Sequence, residues 1–220
     1  MRSMEDPLLA EVRAMSTDAH WRRAILRHCA DLDPGAALPR LRTDIHANDQ
    51  MLVHSLRHHR DAGAAFSQYF AIALQQYAVA RRIQRLVFGG RADAIDVLDF
   101  ACGYGRLLRF LVLALPPGRI VASELQPDAL DFVAATFGVQ ALPSCADPDR
   151  FRAGRRFDFI WVASLFSHLP EALFHGWLRT LLALLAPHGV LCFSVRDADL
   201  LPAGEELPPS GIRYDRRSEN

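Results

Sequence analysis

The segment between residues 95 and 110 constrains the fold most strongly, because it joins a short apolar strand to a helix through a glycine turn. Asp99 stands where the strand ends, and Gly103 and Gly105 follow four and six residues later. Glycine permits positive φ and allows the backbone to approach a ligand closely. A helix that begins beyond the turn offers unpaired N–H groups. The segment therefore predicts a ligand site at the carboxyl end of a buried strand, with an acid that faces a donor or a cation.

Short apolar runs alternate with helical patterns from residue 95 onward. Strands are predicted at residues 95–100, 119–124, 139–143, 157–162 and 190–195, and helices near residues 105–115, 127–137 and 170–186. The turn at residues 187–189, Pro-His-Gly, separates the last helix from the last strand. Continuous apolar strands separated by helices favour a parallel sheet covered on both faces. We therefore predict an α/β fold with a doubly wound, mostly parallel sheet and a ligand at the carboxyl ends of its strands.

The first 90 residues form a different region, in which helical patterns predominate. The pairs Thr17-Asp18 and Asn48-Asp49 are candidate caps, and the apolar residues between 64 and 88 follow one helical stripe. The prediction is a helical region or cap over residues 1–90, a ligand-binding domain over residues 91–195 and an irregular tail over residues 196–220.

The amino-acid composition limits which class of protein this chain can be and which kind of partner it can bind. Half of the residues are hydrophobic and 23% are charged, as in globular chains. The net charge is zero and the sequence lacks a nucleic-acid motif. Neither a nucleic acid nor a membrane is therefore favoured as partner. All 25 basic residues are arginine, which indicates a GC-rich, bacterial source and excludes lysine chemistry. The sequence lacks an apolar signal segment, so a cytoplasmic protein is expected.

The thiol and imidazole groups show no metal-binding pattern. Cys29, Cys102, Cys145 and Cys192 are scattered, which predicts buried thiols rather than disulfides or zinc ligands. The histidines lack ligand spacing with cysteine or acidic residues. No metal site is therefore predicted.

The glycine turn lacks the features of two common phosphate-binding motifs. Leu108 occupies the position of the third glycine of the dinucleotide fingerprint, and there is no lysine for a Gly-Lys-Ser/Thr loop. Glu124 ends the second predicted strand, where a carboxylate can accept both hydroxyls of a ribose. In the alternative, Asp99 caps a helix and Glu124 is a solvated side chain. We favour ribose binding, because both acids stand at the ends of adjacent strands.

Four segments of the chain follow the order of motifs in a known family. They are Asp-Phe-Ala-Cys-Gly-Tyr-Gly-Arg from residue 99, Ser-Glu at residues 123–124, the stretch at residues 157–170 and the turn at residues 185–191. This order resembles that of class I S-adenosylmethionine-dependent methyltransferases. The resemblance covers residues 90–195 and implies a Rossmann-like methyltransferase fold with S-adenosyl-L-methionine as cofactor.

The resemblance also implies roles for individual residues. The cofactor-binding set is Asp99, Ala101, Gly103 and Gly105 at the methionine part, Glu124 at the ribose, Leu125 beside the adenine, and Cys145, Ala146 and Ser164. Many relatives carry an acid after the third strand, where this chain has Cys145; the Ala146 N–H or the Asp147 carboxylate would then meet the adenine. Tyr69 and Tyr77 are interpreted as core residues, although helices before the first strand commonly cover the pocket in this family.

His168 is the candidate catalytic residue. It follows the fourth predicted strand, and a histidine there can orient a substrate or act as general base because it titrates near neutrality. In the alternative, which we slightly favour, Ser167 caps the next helix and His168 packs against the start of that helix.

The chain departs from the family at its carboxyl end. Only 25 residues follow Val195, whereas class I methyltransferases usually add two more strands. We expect five parallel strands, with the C-terminal strands missing and at most a short strand at residues 212–214. Either the chain is a fragment, or the sheet ends early and leaves an edge that needs cover. A homo-oligomer through the helical region or this edge is one way to provide that cover.

The predicted function is transfer of a methyl group from S-adenosylmethionine to a small-molecule acceptor. The missing strands favour an alternative, a catalytically silent domain that binds the cofactor or a partner protein. A nicotinamide oxidoreductase is a third possibility, against which the absent third glycine argues.

Overall fold

A five-stranded parallel sheet forms the centre of the computed structural model, which describes residues 7–201 and 204–214. The strands are β1 (Val97–Phe100), β2 (Ile120–Glu124), β3 (Gln140–Pro143), β4 (Phe157–Val162) and β5 (Leu185–Phe193), in the spatial order β3-β2-β1-β4-β5. The chain runs outward from β1 first to one side and then to the other. This confirms the predicted doubly wound sheet.

Eight α-helices are described. They are α1 (Pro7–Thr17), α2 (Ala19–Leu26), α3 (Pro34–Ala37), α4 (Gln50–His59), α5 (Ala62–Phe88), α6 (Leu108–Ala114), α7 (Pro127–Phe137) and α8 (Glu171–Ala183). The predicted caps are present, because the Asp18 and Asp49 carboxylates accept backbone N–H groups in the first turns of α2 and α4. The five helices before β1 confirm the helical N-terminal region.

The strand register aligns the carboxyl ends of the three central strands. Asp99 of β1 pairs with Ala122 of β2 and with Trp161 of β4. Side chains in register on neighbouring parallel strands point to the same face of the sheet, so Asp99 and Trp161 share one face. This face is the one against which the N-terminal helices pack.

The sheet separates two apolar clusters. One contains residues of α1, α2, α4, α5, α6 and α7 together with Ala122 and Trp161, and the other packs α8 against the opposite face. The first cluster crosses the predicted boundary at residue 90, since the ring of Tyr77 lies 5.7 Å from that of Phe110. The N-terminal helices and the face of the sheet therefore share one hydrophobic core.

The last strand differs from its predicted bounds. β5 begins at Leu185 rather than at residue 190, and its register with β4 shifts between Phe157 and Phe159. Residues 186–189 stand opposite the single residue Asp158, with φ of 65° at His188, so the predicted Pro-His-Gly turn lies within the span of β5 rather than before it. A Cβ on Gly189 would lie 2.8 Å from the Phe157 carbonyl oxygen, which explains the glycine at this position. Because pairing with β4 starts early, α8 ends at Ala183 rather than near residue 186.

No strand follows β5 in the part of the tail that the structure describes, residues 196–201 and 204–214. The short strand considered at residues 212–214 is not formed; the Tyr214 ring packs against Phe174 and His175 instead. Within the described residues the sheet has five strands, as expected. None of the described helices is long and apolar enough to cross a membrane.

Candidate functional site

Two strained residues mark the carboxyl edge of the sheet. Ala101 follows β1 with φ of 55°, and Ser164 follows the neighbouring strand β4 with φ of 63°. Positive φ costs a residue with a side chain about 1–2 kcal/mol, and such residues concentrate at binding and active sites. Their position on adjacent strand ends identifies this edge as the candidate site.

Different structural features explain why glycine occupies each of the two positions in the turn. Gly103 has φ of 53°, and no atom lies within 4 Å of the place where a Cβ would stand. Gly105 has φ of 75°, and a Cβ there would lie 2.5 Å from the ring of Phe137 on α7. Gly103 therefore leaves the backbone of the turn uncovered, whereas Gly105 allows the turn to pack on α7.

Glu124 is held in place by the backbone of both turns. Its Oε2 accepts the Gly103 N–H at 2.9 Å, and its Oε1 accepts the N–H groups of Leu125 at 2.7 Å and Gln126 at 3.2 Å. A carboxylate offers about four lone-pair positions, so one position remains for a hydroxyl donor. The alternative of a freely solvated Glu124 is wrong, because its carboxylate joins the turns after β1 and β2.

Asp99 is almost fully buried and lacks a partner on one oxygen. Its side chain is 3% exposed, and Oδ2 has no hydrogen-bond partner among the described residues. Burial, and to a smaller extent the Glu124 carboxylate, raise the pKa of Asp99 to about 8 against the opposing charge of Arg106. Asp99 does not cap α6, whose N-cap position is Leu107, so the capping alternative is wrong. The orphaned carboxyl fits a cationic or hydrogen-donating ligand.

The predicted adenine-side residues lie around the loop after β3. Leu125 is 52% exposed next to Glu124, and the Ser144 N–H donates to the Glu124 carbonyl at 2.8 Å, which brings the loop beside β2. The Cys145 thiol donates to the Asp147 carbonyl, and Oδ1 of Asp147 accepts the Asp149 N–H. One oxygen of the Asp147 carboxylate is thus already engaged, whereas Ala146 is exposed.

The turn after β4 is tied to the segment after β5. The Ser164 N–H donates to the Ser194 hydroxyl at 2.7 Å, and the Ser167 hydroxyl donates to the Ser164 carbonyl. Nδ1 of His168 lies 3.4 Å from Nη2 of Arg196. Ser167 does not cap α8, because the N-cap position is Pro170 and carries no side-chain hydrogen bond. That part of the alternative for this turn is wrong, and the role of His168 stays a prediction.

Tyr69 and Tyr77 are core residues, as interpreted from the sequence. Both rings are buried; the Tyr69 hydroxyl donates to Asp49 at 2.7 Å and accepts from Nη2 of Arg109 at 3.1 Å. The Tyr77 hydroxyl donates to Asp31. Burial is the largest cause that raises the pKa of both phenols, so both stay neutral.

A contact between the helical region and the glycine turn was not found from the sequence. The Tyr104 hydroxyl and the Asn48 side-chain amide both donate to Oδ2 of Asp128, and the His46 ring stacks on Tyr104 with centroids 4.7 Å apart. These contacts border a cleft of about 650 Å³ that Met51, His54, Arg57 and Gln126 also line. The position of Tyr104 between two glycines was the only available signal.

Three comparisons with known proteins bear on this site. A family model described as a methyltransferase domain matches residues 70–218, more than half of the chain. The chain belongs to this methyltransferase family. Membership confirms the resemblance to class I methyltransferases, with S-adenosylmethionine as cofactor, and sets aside the nicotinamide oxidoreductase.

Similar proteins include two bacterial malonyl-[acyl-carrier protein] O-methyltransferases. The one from Acetivibrio thermocellus is 24% identical over 127 residues, which are 57% of this chain and 44% of the relative. The one from Porphyromonas gingivalis is 24% identical over 160 residues, 69% of this chain and 58% of the relative. The chain spans about half the length of the curated relatives it matches.

Among solved structures, the S-adenosylmethionine-bound amino pentose methyltransferase CalS10 from Micromonospora echinaspora is similar. The two chains are 25% identical with a TM-score of 0.47, over 55% of this chain and 51% of that one. Within residues 7–201 and 204–214, no group of three or more histidine, cysteine or acidic side chains is arranged to hold a metal ion.

Proposed function

We propose that this chain binds S-adenosylmethionine at the carboxyl edge of β1, β2 and β4 and transfers its methyl group to a small-molecule acceptor. One observation carries the proposal: a buried carboxyl with an orphaned oxygen, Asp99, lies next to a glycine turn whose backbone is open at Gly103. A cationic amino acid group can satisfy that oxygen.

The residues at this edge fit the cofactor. Asp99, Ala101 and the open backbone at Gly103 would hold the methionine part, with Gly105 in the same turn. Glu124, already oriented by three N–H groups, would accept a ribose hydroxyl at its remaining position, and the exposed Leu125 would lie against the adenine. The remaining predicted contacts are Cys145, Ala146 and Ser164, which follow β3 and β4.

Methyl transfer from a sulfonium requires alignment of the two reactants more than it requires proton transfer. When bound, the cofactor supplies a methyl group on a sulfonium whose leaving group, a neutral thioether, needs no protonation. Alignment of two reactants can supply about 7–11 kcal/mol of the barrier reduction. His168 would orient the acceptor, or remove its proton where the acceptor carries one.

A small-molecule acceptor is supported by the cleft beside the glycine turn. Its volume of about 650 Å³ falls within the range of small-molecule pockets. The malonyl-[acyl-carrier protein] enzymes among the relatives suggest a carrier-bound acyl group as the competing acceptor.

The alternative is a domain that binds the cofactor without methyl transfer. The observation that favours it is the open edge at β5, since no strand follows β5 among the described residues. A protein that covers this edge would then be the partner.

Titration calorimetry with S-adenosylmethionine tests the binding site. We expect Asp99→Ala and Gly103→Val to abolish measurable binding, and Arg82→Met, on the exposed side of α5, to leave the affinity unchanged. Unchanged affinity in both site variants would overturn the proposal. Circular dichroism of each variant verifies that the fold is retained.

Methyl transfer itself is tested with methyl-labelled cofactor and a cell extract divided into small-molecule and protein fractions. Label in the small-molecule fraction supports the proposed acceptor, and label on a carrier protein supports the competing one. Binding without any transfer by the wild type would identify the silent domain.

A further inference from the structure

Tyr104 belongs to the glycine turn through its backbone and to the neighbouring cleft through its side chain. It stands between Gly103 and Gly105, which both have positive φ. Its side chain is one of those that line the cleft of about 650 Å³, although the residue is only 4% exposed. Because backbone and ring are joined covalently, a displacement of the turn also displaces part of the cleft wall.

The loop at residues 46–49, which lies just before α4, is attached to Tyr104 by two contacts. The Tyr104 hydroxyl donates to Oδ2 of Asp128 at 2.5 Å, and the side-chain amide of Asn48 donates to the same oxygen at 3.2 Å. The His46 ring lies parallel to the Tyr104 ring, with centroids 4.7 Å apart and an angle of 7° between the planes. The two hydrogen bonds also lower the pKa of Asp128, so its carboxylate remains a charged acceptor at neutral pH.

The hydrogen bonds inside this loop converge on His46. The Asn48 N–H donates to Nδ1 of His46 at 3.2 Å, and the Asp49 N–H donates to the His46 carbonyl at 3.0 Å. The His46 ring also lies 5.3 Å from that of Phe132 on α7. The position of Tyr104 therefore reaches the loop by two routes, through the stacked His46 ring and through the carboxylate that it shares with Asn48.

The glycine turn is the part of this arrangement that a ligand can fix. Among the described residues, no atom lies within 4 Å of the place where a Cβ on Gly103 would stand. The Gly103 N–H is held by Oε2 of Glu124, the proposed ribose-binding residue. A ligand bound on this turn removes backbone freedom from Tyr104, and a loss of freedom at one site lowers the cost of ordering a second site that shares the same residue.

We propose that Tyr104 is a positioning residue through which cofactor binding at the glycine turn fixes the loop at residues 46–49, one wall of the acceptor cleft. The inference rests on the proposed function and adds a coupling between its two sites. Coupling is reciprocal, so an acceptor that orders this loop also strengthens cofactor binding. The expected size is that of coupled sites in general, about 5–150-fold.

Hydrogen exchange with and without saturating S-adenosylmethionine tests the coupling and requires no acceptor. The readouts are the backbone amides of the turn, residues 101–106, and those of the loop, residues 46–49. In the wild type we expect the cofactor to slow exchange in both segments, by about tenfold or more in the loop. A purely structural role of Tyr104 predicts no change in the loop when the cofactor binds.

Two substitutions at Tyr104 remove the contacts in steps. Tyr104→Phe loses the hydroxyl and keeps the stacked ring, so cofactor-dependent protection of the loop should fall and not vanish. Tyr104→Leu loses both contacts, and the cofactor should then change loop exchange by less than about twofold while it still protects the turn. The control is Tyr77→Phe, which removes a hydroxyl hydrogen bond to Asp31 in the helical core and should keep the full protection of the loop.

The outcomes separate this inference from the proposed function. A wild type that does not bind the cofactor overturns both. A wild type in which the cofactor protects the turn but not the loop overturns the inference alone, whatever the stability of the variants. Wild-type protection of the loop in Tyr104→Leu also overturns it, because the cofactor would then reach the loop without Tyr104. If Tyr104→Leu does not fold, unchanged loop protection in Tyr104→Phe has the same meaning.

Discussion

Two buried polar clusters lie on the same face of the sheet and differ in how far their groups are paired. In the helical core, Asp49, Tyr69 and Arg109 form a continuous hydrogen-bonded chain, and Nε of Arg109 is the atom of its guanidinium that lacks a partner. At the glycine turn, Oδ2 of the buried Asp99 and Nε1 of Trp161 have no hydrogen-bond partner among the described residues. A buried polar group without a partner costs about 1–3 kcal/mol. The paired cluster therefore supports the fold, whereas the unpaired groups at the turn reduce its stability.

The largest expected effect breaks the paired cluster. Arg109→Met should lower the free energy of unfolding by about 3–5 kcal/mol, because it leaves three acceptors, the carbonyl oxygens of Arg42 and Asp44 and the Tyr69 hydroxyl, without their donor. Arg106→Met should change the same quantity by less than about 1 kcal/mol in the absence of cofactor. Urea denaturation measures both, and equal losses would contradict the distinction between the clusters.

The next effect separates the two glycines of the turn. Gly105→Ala should cost about 3 kcal/mol, since its Cβ would overlap the Phe137 ring and its φ is positive. Gly103→Ala meets no neighbouring atom and should cost about 1 kcal/mol, from backbone strain alone. The double variant Gly105→Ala, Phe137→Ala tests the cause: without the ring, the additional cost of Gly105→Ala should fall toward that of Gly103→Ala, and the contact with Cγ1 of Val133 at 3.1 Å is what remains.

A pH effect follows from the unpaired Asp99. Its pKa is about 8 in the folded chain and near 4 when unfolded, so the native state binds the extra proton between these values. Stability without cofactor should therefore decrease as pH rises from about 4 through about 8 and then level off. Asp99→Asn cannot ionise and should be more stable than wild type by on the order of 2 kcal/mol at pH 8.

Denaturation of both proteins at pH 5 and pH 8 measures this difference. The other groups that interact with the Asp99 charge, Glu124, Arg106 and Cys102, are common to both proteins. An advantage of the variant that does not grow with pH would contradict the raised pKa.

The smallest expected effect concerns strain at Ala101. Its φ of 55° disfavours a side chain, so Ala101→Gly relieves the strain while it adds freedom to the unfolded chain. The net gain in stability should be about 0.5 kcal/mol. Ala114→Gly in α6, where φ is helical, is the matched control and should lose about 1 kcal/mol; a loss of the same size at residue 101 would show that the strain is absent.

Local patterns predicted most of the fold. Alternation of apolar strands with helices led to the parallel sheet, and the caps at Asp18 and Asp49 were recognisable, because these features depend on neighbours within a few residues. The start of β5 was placed too late, because the pairing at Leu185 depends on β4, which lies about 25 residues away in the chain.

The sequence by itself determined the fold class, the family and the acids at the ends of β1 and β2, since each follows from residue type and order along the chain. The tertiary structure alone decided which groups are paired. Gly103 and Gly105, or Arg106 and Arg109, are equivalent in type and stand within a few residues of each other; they differ because α7 packs on Gly105 and the helical region supplies acceptors to Arg109. Hydrogen bonding and burial are long-range in sequence, and they leave Oδ2 of Asp99 without a partner among the described residues while they enclose Asp49 and Arg109 in the core.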